Sequence, residues 1–195
     1  MQSEIIFDVL AFLFAISIHE SAHAWSADRL GDATARHLGR ISLNPLRHLD
    51  PVGTVLFPLL GALSGLPVFG WAKPTPVQLH RLHHPRRDDI LVSAAGPASN
   101  FLVALLALAA LLAIRRLSPE GAAIVASLPF SAASSASLLT GVALLFYRFL
   151  LINVLLGVFN LIPIPPLDGS HILAGVLPAP ARRLYEAAGH FGFLL

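Results

Sequence analysis

Long apolar runs separated by short polar, basic segments make up most of this chain. Residues 4–30 read as a first helix, entered with Ser3 as a candidate N-cap and closed at "RLGD", where Gly31 suits the position just past the helix end. A polar loop, "DATARHLGRISLNPLRHLD", follows. Residues 51–71 are apolar but interrupted by Pro58, Gly61, Gly65 and Pro67. They are also short for a span of ~20 residues. A basic segment runs from Lys73 through "HRLHHPRRDD". Residues 90–114 then form a clean apolar helix ending at Arg115 and Arg116. After a small-residue connection, "SPEGAAIVASLPFSAASSAS", a further span at 138–161 runs into "NLIPIPPLDGSHIL", whose prolines end the helix. The tail, "PAPARRLYEAAGHFGFLL", reads as the first turns of another hydrophobic helix, cut short. No internal repeat is visible.

No strand-like alternation accompanies these runs, and in lipid only helices and closed barrels satisfy their backbone. The expected fold is an all-α polytopic membrane protein. It is a bundle of transmembrane helices with a re-entrant segment, and room for a small β element, between the first two motif-bearing helices. Residues 1–195 form one domain. Composition agrees: 55% of residues are hydrophobic and 12% charged, against about 25% charged in soluble domains. The net charge is only +2 and the basic residues lie in loops, which points to membrane topology and not to nucleic acid. The first apolar run has an acidic flank, "MQSEIIFD", and no small-residue cleavage site follows, so it does not read as a cleavable signal. Placing the Lys- and Arg-rich segments in the cytoplasm sends the first helix inwards and the helix at 90–114 outwards, and brings the third span back in. Residues 51–71 then re-enter the membrane; a true crossing is the alternative.

The first helix carries "HESAH" at its polar end. His19 and His23 are four residues apart, so on a helix they project from one face. At that spacing both imidazoles reach one metal ion, and Glu20, one step round, is close enough to act on a water there without being a ligand. Ionisable residues within a membrane span are functional candidates by default, and three of them within five positions need a shared partner to offset desolvation. A divalent cation neutralises the carboxylate field and satisfies both ring nitrogens. The alternative is a pair of core histidines held by neighbouring hydrogen bonds. The chain has no cysteine, so any metal is held by His, Asp or Glu.

A catalytic zinc has three protein ligands and one open position. Most other acids lie in loops, but Asp168 sits at the membrane end of a span in "PPLDG", where broken backbone lets its carboxylate turn inwards. Capping the helix "GSHILAGVL" is its alternative role. His171 is the rival third ligand and ranks below it.

In that order, "HESAH", "GPASN" and "NLIPIPPLDG" resemble the site-2 protease family of intramembrane zinc metalloproteases. "SLNPLRHLDPVGT" and "FGWAKPTPV" are similar to its small bacterial members without PDZ or CBS domains. The resemblance covers residues 18–172. It implies one zinc per chain held by His19, His23 and Asp168, with Glu20 as the catalytic acid/base. It associates Asn100 and Asn160 with substrate handling. It further implies a transmembrane protein substrate cleaved within the bilayer of the cell membrane, and the orientation expected from the basic loops puts the active site towards the cytoplasm. A metal transporter needs ligands along a path, where this sequence offers one compact cluster. A non-catalytic metal-binding scaffold has no need of Glu20.

Overall fold

The structure, a computed structural model, describes residues 2–56, 60, 73–128 and 137–192. Three of its helices are long and apolar enough to cross a membrane: α1 (Gln2–Arg29), α3 (Pro85–Leu117) and α5 (Leu138–Asn160). Shorter helices complete the chain: α2 (Thr34–His37), α4 (Pro119–Ser127), α6 (Asp168–Val176) and α7 (Ala179–Gly192). Among the described residues there is no strand. The re-entrant reading of 51–71, and most of the proposed β element, fall outside the described residues; within them, Pro51–Leu56 forms a π-helical turn.

The central helix is α3, which packs against α1, α5, α4 and α6, while α1 also packs on α5. The seam of α1 is a row spaced by four residues. Ala11, Ala15 and Ala27 are fully buried, and His19 and His23 occupy the two positions between. Small residues let helix backbones approach closely in a bundle that lipid does not squeeze together, so the alanines bring α3 and α5 near and the histidines continue the same stripe. On α5, Asn153 and Gly157 are buried one turn apart, and a Cβ at Gly157 would lie 2.9 Å from the Phe101 ring of α3. The outward faces are apolar, with Val9 and Phe14 on α1, Leu102, Leu105 and Leu106 on α3, and Leu155 and Val158 on α5 all exposed. A belt of this kind is costly in water and suited to acyl chains.

Helix ends follow local chemistry, with two departures from the expected limits. The first helix already begins at Gln2, ahead of Ser3, and it ends as expected, because Gly31 takes φ +113°. A side chain there is disfavoured by that left-handed backbone and by the Arg81 carbonyl 2.9 Å away. The third helix starts five residues before the apolar run. Pro85 fits its first position, and Asp88, buried in the first turn, accepts the His84 backbone N–H at 2.7 Å. That bond satisfies an orphan donor and places a negative charge at the positive end of the helix.

Candidate metal centre

Three segments deliver the site. His19 and His23 come from the polar end of α1, the wall behind them from α3, and Asp168 from the first turn of α6. The capping alternative for Asp168 does not hold, since Leu167 occupies the cap position and the carboxylate turns towards the histidines. A tight return after α5 brings it there. A Cβ at Gly169 would collide with the Leu161 carbonyl, so only glycine lets the turn fold against the helix end.

The ligand atoms of His19, His23 and Asp168 all lie within 4.8 Å of one another. The two Nε2 atoms are 3.0 Å apart, with Asp168 Oδ2 3.1 Å from His19 Nε2 and Oδ1 3.3 Å from His23 Nε2. Behind the rings, His23 Nδ1 donates to the Val92 carbonyl at 2.7 Å and His19 Nδ1 donates to Asn100 Oδ1 at 2.6 Å. A carbonyl only accepts, so His23 carries a proton on Nδ1, and its neutral form turns a lone pair inwards from Nε2. With their Nδ1 protons engaged behind the rings, neutral imidazoles and the Asp168 carboxylate would present three acceptors to one another with no donor among them.

That donor set fits a divalent cation. Asp168 Oδ2 is buried without a hydrogen-bond partner, which is costly unless a cation answers it. Two imidazole nitrogens and a carboxylate oxygen are a zinc ligand set that leaves a fourth position open. The Nδ1 bonds are the outer contacts that orient metal-binding histidines. Asp168 and Glu20 together carry two negative charges, which one divalent ion neutralises inside a low-dielectric bundle.

Helix α3 makes room for this cluster. Gly96 lies against both rings, and a Cβ there would approach His19 Cε1 to 2.6 Å and collide with His23 Nε2. Pro97, inside the helix, has no N–H for the Ser93 carbonyl and crowds it; one residue earlier lies the Val92 carbonyl that His23 uses. Sequence reasoning did not identify Val92, Gly96 or Asn153. A glycine before a proline within a span, and an amide in another, were the available signals for the last two.

Of the other expected site residues, Glu20 is half-buried on α1, the helix that carries both histidines. Its Oε2 accepts the Thr75 backbone N–H at 2.8 Å, and Thr75 Oγ1 donates to the Glu20 carbonyl at 3.0 Å. Asn100 is brought against His19 and is fully buried. Asn160 is half-buried at the end of α5, its amide donating to Leu156 in the same helix at 2.9 Å. His171 is exposed and pairs with Asp89 at 3.4 Å, outside the converging group.

A multi-pass helical protein with a two-histidine, one-carboxylate centre inside the bundle is therefore in hand, and comparison with known proteins agrees. The model of peptidase family M50 matches residues 7–193, and the chain belongs to that family, the site-2 proteases. It is 35% identical over 187 residues to a protein named "Putative zinc metalloprotease YwhC" from Bacillus subtilis, covering 96% of this chain and 76% of that one. It is also 32% identical over 188 residues to "Putative zinc metalloprotease Rip2" of Mycolicibacterium smegmatis, covering 96% of this chain and 63% of the relative. The Rip2 protein of Mycobacterium tuberculosis is 33% identical, with 95% and 63% covered. The chain thus spans about three quarters of one relative and less than two thirds of the others. No solved structure matches.

Proposed function

We propose that this membrane metalloprotease hydrolyses peptide bonds within the transmembrane helices of other proteins, using one zinc ion per chain held by His19, His23 and Asp168. The observation that carries the reading is the convergence of His19, His23 and Asp168, with Glu20 on the same helix as the two histidines. Zinc in such a site supplies Lewis acidity that makes water nucleophilic near neutral pH. Glu20 takes the proton of the attacking water and returns it to the leaving amine. The Thr75 N–H holds the Glu20 carboxylate in one orientation while it does so. His19 and His23 direct Nδ1 to Asn100 and Val92, and their Nε2 lone pairs would be given to the metal, so neither would compete with Glu20 as base.

A substrate helix must unwind locally, because its carbonyls are engaged in its own hydrogen bonds. The stretch after residue 72, which is neither helix nor strand, is the candidate cradle. Lys73 and Thr75 direct their N–H groups to His48 and Glu20, and Pro74 and Pro76 have none. Strand addition along 73–76 therefore relies on its carbonyls. Asn160, beside the Asp168 turn, is the proposed substrate contact. Asn100 lies deeper, with its amide committed within the bundle. In this reading the catalytic end faces the cytoplasmic side of the cell membrane, which the basic loops support. The described residues contain one converging group of metal-capable side chains, which suits a single reaction centre better than a transport path or a passive scaffold.

Glu20→Gln tests this reading. The variant keeps an acceptor for Thr75 and all three ligands, so zinc stays bound while cleavage of a transmembrane peptide falls by roughly 10²- to 10⁴-fold. Undiminished cleavage would remove Glu20 from the mechanism.

A further inference from the structure

The two histidines are oriented by unlike devices. His23 leans on a backbone carbonyl, which cannot rotate. His19 leans on a side-chain amide, which can turn over and present its NH2 group instead of its oxygen. Something must hold that amide.

Asn153, on α5 and fully buried, is in position to do so. Its Nδ2 donates to the Phe149 carbonyl one turn back at 2.8 Å. That carbonyl only accepts, so Asn153 Oδ1 is left facing α3. Asn100 Nδ2 donates to this oxygen at 2.8 Å and reaches the Ala15 carbonyl at 3.4 Å. With its NH2 committed to two acceptors, Asn100 turns Oδ1 towards His19 Nδ1. His19 then carries its proton on Nδ1 and offers the Nε2 lone pair to the centre. We infer that Asn153 is a positioning residue that sets the tautomer and orientation of His19 through Asn100, across three helices. This deepens, and rests on, the metal reading above.

The alternative role for a buried Asn–Asn pair is adhesion between helices. The two roles separate because adhesion does not depend on which amide atom faces His19. Without the Asn153 oxygen, only the long Ala15 contact opposes reversal of Asn100. A reversed amide points NH2 at Nδ1, drives the ring proton to Nε2 and blocks the ligand lone pair.

The test uses the full chain in detergent micelles, with zinc affinity read by competition with a chelator and the His19 tautomer by 15N NMR of metal-free protein. Wild type is expected to carry the His19 proton on Nδ1. Asn153→Leu is expected to bind zinc about 10-fold more weakly, as is usual when outer-shell support is lost. Asn153→Asp, which keeps an acceptor in the same place, is expected to hold zinc like wild type. The double variant N100A/N153L should bind no more weakly than N100A alone, because the two act in series. Equal zinc affinity in N153L and wild type, equal losses in N153L and N153D, or additive losses in the double variant would each overturn the inference. So would an Nε2-protonated His19 in metal-free wild type, a result that needs no variant to fold. Wild type that takes up no zinc would instead remove the metal reading itself.

Discussion

Two polar clusters meet on α1, and they are built on opposite terms. Around the loops, donors and acceptors are matched. Asp32, fully buried, accepts the Thr34 N–H at 3.0 Å, the Thr34 hydroxyl and the Gln78 N–H at 2.6 Å. Ser21 donates to the Ser42 carbonyl at 2.5 Å, His48 Nε2 donates to the same carbonyl at 2.7 Å, and Arg40 donates to Arg47 at 2.7 Å. Among the described residues of this cluster, only His48 Nδ1 is buried without a partner. Six and ten residues back from the end of α1 at Arg29, His23 and His19 turn their Nε2 atoms towards each other and towards the Asp168 carboxylate of α6. Matched polar groups tie loops to a helix, whereas unmatched ones of a single kind define a place for a cation.

The strongest way to break this contrast is to remove a ligand. His23→Ala or Asp168→Ala should abolish zinc binding and bring cleavage to background, by metal analysis and peptide assay, with helical content retained. Gly96→Ala comes next. Alanine normally stabilises a helix interior by ~0.5–1 kcal/mol over glycine, but here its methyl would meet both imidazoles. Zinc affinity should fall about 10-fold or more. At Gly141, where the nearest atom to a Cβ is Phe7 Cζ at 3.9 Å, the same change should leave zinc binding intact and the melting temperature at or above wild type.

The loop cluster should give the smallest functional effect. Asp32→Ala strands the Gln78 and Thr34 donors and should cost ~1–3 kcal/mol of stability, measured by thermal unfolding in detergent, with zinc affinity unchanged. Burial pushes the Asp32 carboxyl up, but the Gln78 and Thr34 donors, with Arg81 nearby, outweigh it and lower its pKa. A depressed folded value means the stabilisation is complete above the unfolded carboxyl value of ~3.9 and is lost as pH falls through the folded value. Asp32→Asn should therefore flatten the acid limb of the stability profile below about pH 4, leaving the neutral region less stable by a constant amount.

Much of this was legible in sequence, for a physical reason. Apolar runs of membrane length announce α1, α3 and α5, and the four-residue step from His19 to His23 survives any small shift of helix boundary. Asp168 was legible as an acid at the membrane end of a span. What escaped depends on two chains of residues meeting. The first turn of α3 is charged, so no apolar periodicity marks it, and its start is set by Pro85 and by Asp88 reaching back to His84. The supports of the metal centre are a backbone carbonyl at Val92, the absence of a side chain at Gly96 and an amide at Asn153. Each acquires its role from the packing of α3 against α1 and α5, and spacing along one helix does not show it. The contact of Glu20 with Thr75 spans 55 positions and belongs to the same class.

The central claim is one metal held by two imidazole nitrogens and one carboxylate oxygen. X-ray absorption at the zinc edge of the purified protein tests it most directly. The account predicts about one zinc per chain, with two nitrogen scatterers at ~2.0–2.1 Å, carboxylate oxygen at ~2.0–2.2 Å and an open or water-filled fourth position. Protein free of zinc after purification in its presence, or a first shell without the imidazole pair, would contradict it.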